Sequence, residues 1–397
     1  MPEFSTNAKN MRSSEIRKLM KLAADPSIIS FSGGMPNNGL FPCDVVEELF
    51  HNLPLSLKQA AFQYGPTRGF PPLLESLKEY LRSRGLPVDT NDLIITTGAQ
   101  QAINLITKIM IDPGDTIITE YPSFIGGVAA FKSYGAQMTS VPLDNDGILI
   151  DRLQHAIDTL SPKPKILYLT PYFHNPAGII YSTERKKAII EILNRHDILF
   201  LEDDPYCELY FEEKDKELTC AMKSIMNDDE KVCYVGTFAK IMGPGIRIGY
   251  MLGPKNILEK CELAKQSMDA CSPTYSQVLA NAFLAEEKLV PYLETLRPIY
   301  KRRADTMLKA LEDTMPEGIV WTRPKGGFYI WVTMPEHMDS SDVFAKSVEK
   351  GAAFVIGKAF DPEDKRNNSF RLAFSHTAEE KIAAGIEIVA DAIKMCL

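Results

Sequence analysis

The chain predicts an α/β protein, in which a mostly parallel sheet lies between helices and a smaller α/β unit follows. Two observations carry this expectation. Short apolar runs rich in β-branched and aromatic residues recur through the middle of the chain, with longer helical patterns between them. From about Pro254 onward long helical stretches take over, and β-rich runs return only near the end. Apolar strands joined by crossover helices pair in parallel, with both faces of the sheet covered.

In chain order, "LIITT" (93–97) leads through Gly98 into "AQQAINLITKIMI", whose apolar residues recur at helical spacing. The next strands are "DTIITE" (115–120), "KILYLT" (165–170), "ILFLEDD" (198–204), "KVCYVGT" (231–237) and "IRIGYML" (246–252). Between the runs at 165–170 and 198–204, "STERKKAIIEILNRH" opens with a Ser/Thr cap and Glu184, as a helix start should. A second sheet is placed in "VWTRPKGGFYIWVTM" and "SFRLAFS". The division that follows is an N-terminal arm (1–40), a large domain (41–285) and a small C-terminal domain (286–397). No internal repeat interrupts it.

With 397 residues, 45% hydrophobic and 24% charged, the chain can bury a substantial core. A net charge of -8 argues against nucleic acid, whose phosphates demand a basic face. Seven cysteines without a CxxC spacing fit a reduced, cytoplasmic compartment better than a disulfide framework. No apolar run approaches the ~18 residues of a membrane helix, and the start lacks a secretory pattern. The six histidines are scattered, so no metal site is expected.

In open α/β sheets ligands bind beyond the carboxyl ends of the strands. The residues just past the predicted strand ends are Gly98-Ala99-Gln100, Tyr121 to Phe124, Asn175-Pro176, Asp203 to Tyr206, and Thr237 with Lys240. Singly, each has an ordinary reading as a turn, a cap, a core aromatic or a solvated lysine. "GPGIRIG" is no dinucleotide fingerprint, because it leads into a strand. Together they meet the needs of pyridoxal 5'-phosphate. Lys240 can anchor the cofactor covalently, Asp203 can hold its pyridine nitrogen protonated, and Phe124 can face the ring. Asn175 and Tyr206 can reach the phenolate oxygen. Gly98, Ala99, Thr237 and Arg247 can hold the phosphate at a helix start.

The ordered motifs "TTGAQQA", "YPSF", "HNPAG", "LEDDPY", "TFAKIMGPGIRIGY" and "FRLAFS" resemble the class I aminotransferases among the fold-type I pyridoxal phosphate enzymes. With "SSEIRKLM", "ISFSGGMPNNGLFP" and "FQYGPTRGFPPLLESL", the chain is most similar to the kynurenine/2-aminoadipate aminotransferase branch. The resemblance implies a seven-stranded, mostly parallel large-domain sheet and a homodimer. It also implies ping-pong transfer of an amino group from an L-amino acid to a 2-oxo acid such as 2-oxoglutarate.

By the same resemblance, Arg371 clamps the substrate α-carboxylate with help from Asn175, and Gln100 joins the phosphate cradle. Tyr64 reaches the phosphate of the second subunit, Gly34 lies over the substrate, and Arg17 lines its side chain. Two departures stand out: Ala239 replaces a frequent serine, and "HNPAG" replaces "QNPTG". A lyase or decarboxylase would share all the cofactor residues. A ligand-sensing regulator would need a DNA-binding domain ahead of "SGGMPN", for which there is little room.

Overall fold

The structure is a computed structural model that describes residues 2–4, 8, 25, 27–226 and 230–397. Arg17 lies outside the described residues. The strands are β1 (Ile29–Ser30), β2 (Asp92–Thr96), β3 (Thr116–Tyr121), β4 (Gln137–Asp144), β5 (Gly147–Ile148), β6 (Pro164–Leu169), β7 (Leu199–Asp204), β8 (Val232–Thr237) and β9 (Gly249–Gly253). Five more follow: β10 (Val320–Trp321), β11 (Tyr329–Thr333), β12 (Ala352–Ala353), β13 (Val355–Ile356) and β14 (Ser369–Ala373).

The large sheet has the order β2-β9-β8-β7-β6-β3-β4-β5: seven longer strands and the two-residue β5 at one edge. Its neighbours pair in parallel except around β9 and at the β4–β5 hairpin. Strand β9 runs antiparallel for a simple reason. Only the loop 238–248, with a single 3-10 turn at Pro244–Ile246 and no crossover helix, separates it from β8. It also starts later than the apolar run suggests, because Arg247 takes a left-handed φ of 53° that ends the extended backbone. The run at 137–144 escaped the sequence reading. It is a half-exposed strand near the sheet edge in which Gln137, Thr139, Ser140 and Asp144 interrupt the apolar residues, so it lacks a continuous apolar signature.

Helix Ala99–Met110 buries Ala102, Ile103, Leu105 and Ile106, the positions that helical spacing turns toward the sheet. Truncating Ile103 to Ala there would cost about 2–5 kcal/mol. Helix Thr183–Leu193 is capped by Ser182, whose side chain accepts from the Arg185 N–H at 3.2 Å, worth about 1 kcal/mol. Glu184 sits in its first turn, where the helix dipole favours a carboxylate.

The C-terminal sheet has the order β10-β11-β14-β13 and is antiparallel. Helices Leu289–Thr314 and Glu379–Lys394 pack together beside it. Strand β1 pairs in parallel with β12, tying the N-terminal segment to this unit. Because β2, β3, β6, β7 and β8 share a direction, their carboxyl ends open on one edge. The reversed β9 brings its amino end to that same edge.

Candidate active site

At this edge a cleft is lined by Gly98, Ala99, Gln100, Phe124, Thr170, Asn175, Asp203, Pro205, Tyr206, Thr237, Ala239, Lys240 and Arg247. One end is a cradle of backbone and hydroxyl groups. Gly98, with φ of 77°, turns β2 into the N-terminus of helix Ala99–Met110, leaving first-turn N–H groups toward the cleft. A Cβ on Gly98 would lie 2.5 Å from an Arg247 guanidinium nitrogen, so only glycine lets the two approach. Arg247 donates to the Pro244 and Thr97 carbonyls at 3.0 and 3.2 Å, which fixes its plane beside that helix start. The Thr237 hydroxyl donates to the Ile248 carbonyl at 3.1 Å and accepts from the Ala239 N–H at 3.1 Å.

The middle of the cleft holds the titrating groups. Lys240 Nζ donates to the Gly34 carbonyl at 3.1 Å and sits 5.7 Å from the centre of the Tyr206 ring. Burial, reinforced by the Arg371 and Arg247 charges and opposed by Asp203, lowers its pKa to about 8. Asp203 is buried at the end of β7, and its Oδ2 accepts from the Tyr168 hydroxyl at 2.7 Å. Its Oδ1 is buried without a partner. Burial is the main cause that raises this carboxyl to about 7; the Asp204 and Glu120 charges add to it, and the Tyr168 hydrogen bond and Lys240 oppose it. A base near neutrality and a buried carboxylate with a free oxygen make a proton-handling site.

The other end is built by the C-terminal unit. Arg371, at the centre of β14, is buried over the rings of Tyr329 and Phe360 at 4.5 and 5.0 Å. It donates to Asn175 Oδ1 at 2.9 Å and to the Ser32 carbonyl at 2.7 Å, and its Nε has no partner. Burial draws its pKa down. The hydroxyls of Tyr206 and Tyr329 lie 2.9 Å apart, and Tyr329 reaches the Gly34 carbonyl at 3.4 Å. Burial first, then Tyr329, pushes the Tyr206 phenol well above its ordinary range. Phe124 caps helix Ile125–Ser133 and faces Gly126, where a Cβ would fall 2.5 Å from its ring.

The structure thus assembles Gly98, Ala99, Gln100, Phe124, Asn175, Asp203, Tyr206, Thr237, Lys240 and Arg247 around one cleft, with Gly34 on Lys240 and Arg371 on Asn175. Tyr64 stands apart from that cleft at the surface, 86% exposed. Sequence reasoning missed Tyr168, Thr170, Tyr329 and the Ser32 carbonyl. Tyr168 and Thr170 lie on the strand "KILYLT" two positions apart, and pleat alternation could have placed both on the side of Asp203.

The family profile "Aminotransferase class I and II" matches residues 28–389. An aromatic-amino-acid aminotransferase 1 of Thermococcus litoralis is 39% identical, covering 98% of this chain and 94% of the relative. A 2-aminoadipate transaminase of Thermus thermophilus is 32% identical, over 98% of this chain and 96% of the relative. Among solved structures, Pyrococcus horikoshii kynurenine aminotransferase, in complex with PMP and kynurenine, superposes with a TM-score of 0.95 at 38% identity. That superposition covers 99% of this chain and 97% of the other. The extent of the profile match, the level of identity and the shared architecture settle the classification: this chain belongs to the class I and II aminotransferases, pyridoxal-phosphate enzymes of fold-type I.

Proposed function

We propose that the enzyme carries the amino group of an aromatic or 2-aminoadipate-like L-amino acid to 2-oxoglutarate, with the cleft residues in the roles given below. The observation that supports this most is Asp203: a buried carboxylate with one unpartnered oxygen, in the same cleft as a lysine lowered to about 8. That orphaned oxygen is the acceptor a protonated pyridine nitrogen requires. The Gly98 turn, cleared of any Cβ beside Arg247, suits a phosphate. The residues present fit the cofactor. Phe124 would face the ring, and Gly98, Ala99, Gln100, Thr237 and Arg247 would hold the phosphate. Asn175 uses its Oδ1 for Arg371, which leaves its amide N–H₂ and the Tyr206 hydroxyl to meet the phenolate oxygen.

Bound there, the cofactor supplies a carbonyl that takes up and returns the amino group, and a ring that withdraws electrons. The chain does the rest. Arg371, with an unpartnered Nε and flat aromatic surfaces beneath it, grips the α-carboxylate as a fork. Lys240 Nζ, neutral above about pH 8, removes and restores the proton on the substrate Cα. Asp203 keeps its negative charge facing the ring.

The enzyme works as a homodimer in this reading, with Tyr64 completing the phosphate site of the second subunit. Exposed Leu55, Phe62, Tyr64 and Tyr275 support it, since the Phe62 and Tyr275 rings stand 5.8 Å apart on one surface. A reduced, cytoplasmic setting suits its free cysteines, and no helix among the described residues is long and apolar enough to cross a membrane.

The test is a half-reaction. Single amino acids added to the holoenzyme should bleach the cofactor absorbance, and 2-oxoglutarate should restore it, ranking donors in one assay. Release of ammonia, carbon dioxide or a thiol, with the cofactor absorbance regenerated without any 2-oxo acid, would instead support the lyase or decarboxylase reading.

A further inference from the structure

Beneath the cleft, the end of β3 and the 174–178 turn enclose an ionisable pair that the mechanism does not use. Glu120 and His174 are both fully buried, and His174 Nε2 lies 3.2 Å from Glu120 Oε2. The Ala177 N–H donates to His174 Nδ1 at 3.0 Å. A nitrogen that accepts carries no proton, so the ring proton sits on Nε2 and points at Glu120.

The carboxylate is satisfied from every side. Thr170 gives its N–H to Oε1 and Oε2 at 3.2 and 3.0 Å and its hydroxyl to Oε2 at 2.9 Å, and Tyr181 donates to Oε1 at 2.6 Å. A buried carboxylate with that many donors is a rigid anchor, because breaking any contact exposes charge to a low dielectric. His174 ties this anchor to the turn that carries Asn175. The turn closes on itself through the Gly178 N–H to the His174 carbonyl at 2.6 Å and the His174 N–H to the Ile179 carbonyl at 2.8 Å. Asn175 then meets Arg371.

We propose that His174 and Glu120 are positioning residues that hold Asn175, and through it the Arg371 guanidinium, in register with the α-carboxylate of both substrates. This rests on the reading of Arg371 as the carboxylate clamp. The imidazole acts as a spacer with an acceptor on one side and a donor on the other. A glutamine side chain offers the same pair, with its carbonyl to Ala177 and its amide to Glu120; leucine offers neither.

The experiment compares His174→Leu, His174→Gln and Arg371→Lys holoenzymes. It reads KM and kcat for an amino acid and a 2-oxo acid, the calorimetric Kd of unreactive 3-phenylpropionate, and the melting temperature. His174→Leu should raise both KM values and the 3-phenylpropionate Kd about tenfold, with kcat within about threefold of wild type. His174→Gln should return all three to near wild type. A merely structural role would lower the melting temperature and leave the KM-against-kcat split unmoved.

If leucine prevents folding, Glu120→Gln reads the same split. Unchanged KM and Kd in His174→Leu beside a raised KM in Arg371→Lys overturns the pair alone. So does a glutamine variant as impaired as the leucine one. Unchanged values in Arg371→Lys overturn the clamp itself, and the proposal with it.

Discussion

Replacing Asp203 by Asn should stabilise the cofactor-free protein while disabling the site, and the structure sets the pH at which the gain develops. The carboxyl is buried, bonded through Oδ2 to Tyr168, and unpartnered at Oδ1. Its pKa is raised from 3.8 to about 7, chiefly by burial. A carboxyl with a raised folded pKa binds its proton more tightly folded than unfolded. Its contribution to stability is therefore complete below about pH 4 and is lost as the pH rises through 7. Each unit is worth about 1.4 kcal/mol, so the full loss is about 4 kcal/mol. A little over a third of it has occurred by pH 5, and the remaining 2–3 kcal/mol, roughly, disappears between pH 5 and 8.

Asparagine is neutral throughout and keeps an acceptor for Tyr168. Urea unfolding of the apoprotein at pH 5, 6.5 and 8 should therefore show the variant gaining on wild type by about 2–3 kcal/mol over that range, then levelling off. The same variant, loaded with cofactor, should transfer amino groups at least about tenfold to a hundredfold more slowly, the equivalent of one lost charge-assisted hydrogen bond. A stability difference that does not change with pH, or a variant less stable than wild type at pH 8, would refute the argument that burial of an unpartnered charge sets this pKa.

Three further outcomes follow from the same cleft. Lys240→Met should abolish turnover. Because the lysine's folded pKa is lowered to about 8, its contribution is present above pH 10.5 and lost as the pH falls through 8. The apoprotein variant should then gain stability below pH 8, and combining it with Asp203→Asn should give more than the sum of the two single gains, since each single variant loses the attraction between the opposite charges and the double variant loses it only once; unfolding curves of the double variant decide this. Arg247→Gln should weaken cofactor binding about tenfold or more, read by titrating apoprotein with pyridoxal phosphate. Gly34→Ala places a Cβ 2.2 Å from the Tyr329 hydroxyl and 3.0 Å from its Cζ. It should depress kcat/KM about tenfold, and adding Tyr329→Phe should restore it only in part, which steady-state kinetics can measure.

How much of this was legible in the sequence depends on where each residue's information lies. Residues at the ends of apolar strands were readable, because parallel pairing forces those ends to one edge. Gly98, Asp203, Thr237 and Lys240 were found by position at or just past those ends, although singly each had an ordinary reading and only the set pointed to a site. Arg247 was not marked by position, since the sequence placed it inside the run 246–252; only the antiparallel pairing of β9 brings it to the same edge as the other strand ends. Arg371 could be assigned only through resemblance, since a central residue of β14 has nothing local to mark it as a clamp.

What stayed hidden is long-range and polar. The Ser32 carbonyl meets Arg371 across 339 residues, and any side chain at position 32 would present it. Tyr329 meets Tyr206 across 123 residues from another sheet. Glu120 closes the run "DTIITE" and looks like a solvated strand end. It is fully buried because four polar groups from the 168–181 region converge on it. Hydrophobic periodicity reports which face of an element turns inward. It is silent about which buried charges are matched, and matching is what separates the anchor at Glu120 from the exposed need at Asp203. The two carboxylates lie near the carboxyl ends of β3 and β7, the parallel strands on either side of β6. One is quenched by donors from the protein and the other is left with one oxygen unpartnered, the acceptor that the proposed reading gives to the cofactor's ring nitrogen.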